Sequence, residues 1–328
     1  MKAFARVLAR VPVWRTAVIA LVAATMTGLG LPASAQAQEQ EQEPRPVLGG
    51  HRLIWNPFTQ SPYPRTTVRS LTGGGVFLNA EFFPSFEIGD VTVEAVRGNL
   101  LFAELEFEYM HQVQPWLGVW VKAGGLARLG TNAGGLLAQG VTAITGYELG
   151  WLFKVYESET FVLSGTTALS NDGVTDVNIL RWARGLVSEG DSALADSGPQ
   201  LRGRGGVRGA WGINETWGLQ FQSELGYGQV GLEDPDGRLF WDNAASLSFD
   251  LYPGTEVPLG FVLSAGSRDF PREGGNPEVR TVDFGLRTAY TGRDNFLISL
   301  DTNWNGFELA SGDDVGLFRA GLSLQLFF

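Results

Sequence analysis

The sequence predicts an all-β fold: a transmembrane, antiparallel, up-and-down β-barrel of about twelve strands, with a short helix in one long outer loop. Three observations carry this. Apolar and polar residues alternate with period two from about residue 71 to the C terminus. The alternating segments are long enough to cross a bilayer at a tilt, which takes about 9–11 residues per strand. The connections between them are alternately short and long, the pattern of tight periplasmic turns and larger outer loops.

Composition narrows the function before any motif is read. The chain has 328 residues, 12 % of them aromatic, a load that a disordered chain does not carry in water. It has no Cys, so it has no disulfide framework, thiolate metal site or lipoprotein anchor. A net charge of −11 argues against nucleic acid as a partner. The two histidines, His51 and His111, leave little for imidazole catalysis or a multi-His metal site, and no cofactor or metal is expected.

The first element is an address. Lys2, Arg6, Arg10 and Arg15 precede an apolar run from Thr16 to Leu31, which is followed by the small-x-small sites Ala33-Ser34-Ala35 and Ala35-Gln36-Ala37. This is the pattern of a secretory signal peptide over residues 1–37. Its removal takes the net charge from −11 to −15. Residues 38–70 begin as a solvated Gln/Glu/Pro tract and continue through His51, Trp55, Phe58 and Tyr63 without strand character. They read either as a plug in the periplasmic mouth or as a tether, and the sequence leaves both open.

The barrel spans 71–328. Its strands are read at 72–83, 100–112, 115–125, 138–155, 159–170, 200–213, 215–229, 238–252, 257–268, 279–291, 295–306 and 316–328. The second shows the alternation best: Leu101, Ala103, Leu105, Phe107 and Tyr109 face one way, Glu104, Glu106 and Glu108 the other. An even strand count returns both ends of the barrel to the periplasmic side. Aromatics cluster on the apolar face at both strand ends: Tyr109, Trp151, Trp211, Trp217, Tyr290, Phe296 and Phe328 on one side, Phe82, Tyr227, Trp241, Trp304 and Phe318 on the other. Two such girdles flanking an apolar band mark membrane interfaces.

The last strand, Gly321-Leu322-Ser323-Leu324-Gln325-Leu326-Phe327-Phe328, resembles the C-terminal signature of bacterial outer-membrane β-barrel proteins, alternating apolar residues closed by an aromatic one. The resemblance extends in pattern over the signal peptide and 71–328, and it singles out no subfamily. It implies residence in the cell outer membrane and contact with outer-membrane lipid and lipopolysaccharide. It also implies that Phe328 is read by the barrel-assembly machinery.

Residues opposite the apolar face are expected to line the lumen. The acids are Glu104, Glu106, Glu108, Glu148, Glu224, Asp242, Asp250, Asp283 and Asp301; the bases are Lys122, Lys154, Arg202, Arg204, Arg208, Arg287 and Arg319. Rows of opposite charge on separate sectors of a wet wall bias ion selectivity. The same rows can instead fill a narrow lumen with salt bridges, and strand number alone does not choose between the two.

The longest loop is read at 171–199, with an amphipathic helix over 174–187 capped by Asp172, either a lid or a docked surface helix. Asp234-Pro235-Asp236-Gly237 and Ser311-Gly312-Asp313-Asp314 read as acidic turn tips. No nucleophile elbow, P-loop or dinucleotide fingerprint is present. His111 shares the parity of Tyr109 and so belongs to the lipid side.

The reading is a channel or transporter, not an enzyme, passing small hydrophilic solutes or ions through a charged lumen. A non-conducting structural barrel that displays its loops is the alternative, and a lipid-modifying enzyme is a more distant one.

Overall fold

The computed structural model describes residues 45–83, 86–88, 91–93, 96–130, 141–177, 195–230, 234–268, 281–308 and 314–328. The expected signal peptide, 1–37, lies outside them, and so do residues 178–187 of the expected loop helix.

Twelve antiparallel strands close into one barrel. In chain order they are β1 (Thr67–Phe83), β2 (Val96–Gln114), β3 (Leu117–Gly130), β4 (Val141–Glu157), β5 (Phe161–Val177) and β6 (Ala195–Gly212). They continue as β7 (Trp217–Val230), β8 (Asp234–Asp250), β9 (Leu259–Arg268), β10 (Thr281–Tyr290), β11 (Phe296–Glu308) and β12 (Asp314–Phe327). Each strand pairs with its neighbours in sequence, and β12 closes on β1 from Phe327 opposite Thr67 to Gly316 opposite Leu78. Full closure leaves no unpaired edge, as a bilayer requires.

Several boundaries differ from the sequence reading. β1 starts at Thr67, so Thr67–Ser70 belong to the barrel and Arg69 joins its wall. Strands β5, β6 and β8 extend past their expected ends on the side away from the short turns. Val174–Val177, expected to open a helix, are the end of β5 and pair with Ala195–Gly198 of β6. Asp234–Gly237, expected as a turn tip, begin β8, and Val230 pairs with Asp234. In these stretches Gly, Asp and Ser break the alternation, while backbone pairing, which does not need a side chain, continues. The one helix among the described residues is α1 (Tyr252–Thr255), in the β8–β9 turn. It ends on Glu256 in the left-handed region at φ 60°.

The outward face is apolar and bare. Leu105 and Leu322, at mid-strand, are 60 % and 63 % exposed, an arrangement stable only against lipid. Trp211, Trp217, Tyr109 and Phe328 are exposed at the short-turn end, and Tyr227, Trp241, Trp304 and Phe318 at the other. Outer-membrane barrels keep their short turns in the periplasm, so the first of these ends is the periplasmic one.

Candidate functional site: a filled lumen

The barrel is not hollow at its periplasmic end. Residues 45–66 run into it and include some of the most buried of the described residues: Leu53, Ile54, His51 and Thr59 are 0 % exposed. The segment enters as a minimal hairpin, Val47–Leu48 against His51–Arg52, turned by Gly49 and Gly50 at φ 56° and 85°. A two-residue turn with both φ positive is the type that Gly-Gly supports without strain. The Gly49-Gly50 dipeptide was the available signal for this hairpin, in a stretch read as lacking strand character.

The segment then docks on the wall through hydrogen bonds. The Gly49 amide donates to the Glu159 carbonyl at 2.7 Å. The Ile54 carbonyl accepts from Gln220 Nε2 at 2.8 Å. Thr59 Oγ1 lies 2.7 Å from Ser246 Oγ and donates to Gln220 Oε1 at 3.2 Å. Ser164 Oγ donates to the Pro62 carbonyl at 2.5 Å, and Arg287 Nη1 donates to the Trp55 carbonyl. Asn56 folds the segment back on itself, its Oδ1 accepting the amides of Phe58 and Thr59 at 2.8 and 3.0 Å. Leu48, Leu53, Ile54, Trp55 and Tyr63 complete the seat by packing with wall residues Val162, Val262, Leu297 and Phe327.

Glycines in the wall make room. A side chain at Gly260 would meet Ile54, one at Gly285 would meet Phe58, and one at Gly218 would meet the His51 ring. Burial raises the Tyr63 phenol above its ordinary range and lowers the His51 imidazole below its own.

Beyond this segment the wall is charged and paired with itself. Glu104 accepts from Arg319 Nη1 at 3.1 Å, across β1, where Gly73 and Gly75 carry no side chain to separate them. Arg69 Nη2 reaches both Glu106 and Glu108 at 2.8 Å, and Lys122 Nζ reaches Glu106 at 2.6 Å. Glu148 takes two hydrogen bonds from Arg204 Nη2 and one from the Trp120 indole, all at 2.8 Å. Glu224 accepts from Arg204 and Arg208 at 3.1 Å each, and the Arg208 guanidinium lies 4.7 Å over the Trp120 ring.

The remaining pairs follow the same rule. Arg202 pairs with Asp172 and Arg287 with Asp301; Asp283 takes Arg268 Nε at 3.1 Å and Asn305 Nδ2 at 3.0 Å. Asp242 stands opposite Glu224 on one side and Arg268 on the other. Asp250 accepts from Thr291 Oγ1 at 2.8 Å, and Lys154 pairs with Glu157 at 2.5 Å. Arg69, Trp120 and Arg268 belong to this wall but were not singled out in the sequence, and Asp172, expected there as a helix cap, is a wall residue of β5 paired with Arg202. Arg69 was missed because the first strand was started too late, and Trp120 because its indole was not weighed as a donor. His111 faces outward, exposed, its ring stacked at 6.2 Å on Tyr109.

No protein-family model matches the chain, and no curated protein matches its sequence. Solved structures do match. An outer-membrane channel from Pseudomonas putida F1 aligns over 84 % of this chain and 100 % of its own, at 9 % identity and a TM-score of 0.50. The chain is an outer-membrane β-barrel by fold. The β domain of the Bordetella autotransporter BrkA aligns over 80 % of this chain and 100 % of its own, at 8 % identity and a TM-score of 0.48. The KdgM porin aligns over 79 % and 99 %, at 6 % identity and 0.41. At these identities the likeness is one of architecture. The outer-membrane barrel's own lipid-facing band and aromatic girdles agree with it.

Proposed function

We propose that the protein is a gated outer-membrane channel for small hydrophilic solutes or ions, with residues 45–66 as the plug that holds it closed. One observation carries this reading. The charged side chains of the lumen pair mainly wall to wall, as in Arg319–Glu104, Arg69–Glu106 and Arg204–Glu148; the plug's share is the Arg52–Asp294 pair at the β10–β11 turn and the hydrogen bond from Arg287 to the Trp55 carbonyl. The plug is held mainly by neutral hydrogen bonds and apolar packing. Its departure therefore breaks the Arg52–Asp294 pair and leaves a polar wall, its charges paired with one another, facing water that can reach buried atoms without a partner in the closed barrel, such as Arg69 Nε and Glu104 Oε1. A filling meant to be permanent has no need of such a wall, because small barrels close with packed side chains.

The test is conductance in planar bilayers. Deleting 45–66 should convert a barrel that is closed most of the time into one with discrete, sustained conductance. A deleted barrel that refolds yet stays closed to ions at every voltage would sink the reading.

A second reading, a non-conducting structural barrel, has one observation in its favour. Arg204 on β6 ties Glu148 on β4 to Glu224 on β7, a bracing of the lumen that resists opening. A silent deletion variant would favour it. Under either reading, Phe328 serves as the mark for the assembly machinery.

A further inference from the structure

We propose that His51 is a proton-operated latch, and that protonation of its imidazole frees the plug. This rests on the reading of 45–66 as the closing element.

The ring is seated between three elements. Its Nδ1 lies 3.2 Å from the Glu215 carbonyl in the β6–β7 turn, and a carbonyl only accepts, so Nδ1 carries the hydrogen. Its Nε2 lies 2.8 Å from Ser248 Oγ on β8. In the neutral ring Nε2 is the acceptor, and the Ser248 hydroxyl donates to it. The flat of the ring fills the space that a side chain at position 218 would take. Both nitrogens are satisfied, and no water is needed.

Protonation does not break this set. Ser248 Oγ also lies 3.1 Å from the Gly218 carbonyl, so its hydrogen can turn there while Nε2–H donates to the freed lone pair. What changes is charge. An imidazolium at 0 % exposure is a buried cation, and its surroundings are mixed. From the plug come Arg45 and Arg52. From the barrel come Asp250 at the end of β8, Glu215 in one turn and Asp294 in another. Arg52 is paired with Asp294 at 2.9 Å, and Asp250 is engaged at Oδ1 by Thr291 and the Tyr252 amide while its Oδ2 is buried without a hydrogen-bond partner. Arg45 donates to the Thr291 carbonyl at 2.8 Å and adds a second positive charge nearby. Burial, the largest effect, acts with Arg45 and outweighs the Glu215 carbonyl and Asp250, so the seated ring holds its proton less tightly than a hydrated one.

The sign follows. Released into water, the ring titrates near the ordinary histidine value of about 6.5. Seated, it titrates lower. Above about pH 6.5 neither state binds the proton and the plug holds at full strength. As pH falls below that, the released state gains at most tenfold per unit, with about 30-fold by pH 5 as the ceiling.

The experiment uses the full barrel in planar bilayers with acid applied to the short-turn side. From pH 7.5 to pH 5, open probability should rise by up to about 30-fold in the unaltered protein. It should stay flat in His51→Gln, which keeps a donor and an acceptor but takes no proton. It should rise unchanged in His111→Gln. A barrel lacking 45–66 should conduct equally at both pH values. If that deleted barrel is silent, the channel reading fails. If it conducts but the unaltered protein ignores pH, or His51→Gln responds equally, the latch fails. Should His51→Gln not seat its plug at all, imidazole NMR on the His111→Gln protein decides. One histidine remains to be observed there; a midpoint well below 6.5 supports the latch, and an ordinary midpoint overturns it.

Discussion

Arg287 grips Asp301 with two parallel hydrogen bonds, Nε to Oδ1 at 2.5 Å and Nη2 to Oδ2 at 2.7 Å, and the pair is almost wholly buried. Its third nitrogen donates to the Trp55 carbonyl, so one guanidinium joins the β10–β11 wall to the plug. Asp301→Ala leaves that cation buried without a counter-charge, a change that costs about 3–5 kcal/mol. The expected result is a lower urea midpoint together with raised conductance at neutral pH. Replacing both residues with apolar ones of similar volume should recover the midpoint but not the closure, since Trp55 stays unpaired. Urea titration and single-channel recording on the same samples separate the two effects.

Wall glycines supply a wedge experiment that leaves the plug sequence intact. A Val at Gly218 would occupy the place of the His51 ring, and a Val at Gly285 that of Phe58. Both should shift the balance toward the open barrel at neutral pH: overpacking costs about 1–3 kcal/mol, the clash with wall side chains Ser248, Ser264 and Asn303 is met in both states, and the clash with His51 or Phe58 is added only in the seated one. Gly254→Ala, in α1, meets nothing within 4 Å and should leave conductance unchanged. Equal conductance in all three variants would show that the plug is not what closes the lumen.

The Glu row of β2 is neutralised where it stands, by Arg319, Arg69 and Lys122. A barrel without its plug should therefore be only weakly selective. Replacing Glu104, Glu106 and Glu108 by Gln uncovers those three cations, and the reversal potential under a salt gradient should move toward anions. The shift should shrink from about 0.1 M to about 1 M salt, as the Debye length falls from roughly 10 to 3 Å. An unmoved reversal potential would place the row outside the ion path.

Phe328 contributes little to the finished wall. It is 54 % exposed, and its amide donates to the Thr66 carbonyl at 3.1 Å, just past the last β12–β1 pair. Its removal should lower the amount of assembled barrel in cells several-fold while leaving refolding into detergent micelles nearly unchanged. A matching loss in both settings would make its role one of stability instead.

Much of this was legible in the sequence. Period-two alternation locates a strand wherever one face meets lipid, as with Leu101 to Tyr109, because side chains on the two faces answer to different solvents. It fades where a strand leaves the bilayer. There Asp234–Gly237 and Val174–Val177 pair as strand with no apolar face to announce it. Parity places Glu148 and Arg204 on one face, yet does not pair them, since they sit two strands apart in the chain. The plug was the hardest to read. Its apolar residues, Leu53 to Trp55 and Phe58, follow no period, because an irregular segment buried on all sides has no solvent face to impose one. His51 looked idle for the same reason: its partners Glu215 and Ser248 become its neighbours only when the barrel closes.

The plug ends within a few residues of where β1 begins, and Pro64 at that junction rests against Gly118 of β3. A stopper on so short a leash never diffuses away. Once unseated, it faces its own socket at an effective concentration of about a millimolar or more, and recapture is a first-order event within one molecule. Openings should therefore appear as bursts of brief flickers whose lifetimes ignore protein concentration, and dilution or washing should never strip the blockade. The leash also sets how a cell could silence the pore for good: not by supplying a blocker, but by raising pH and letting each barrel reseal itself.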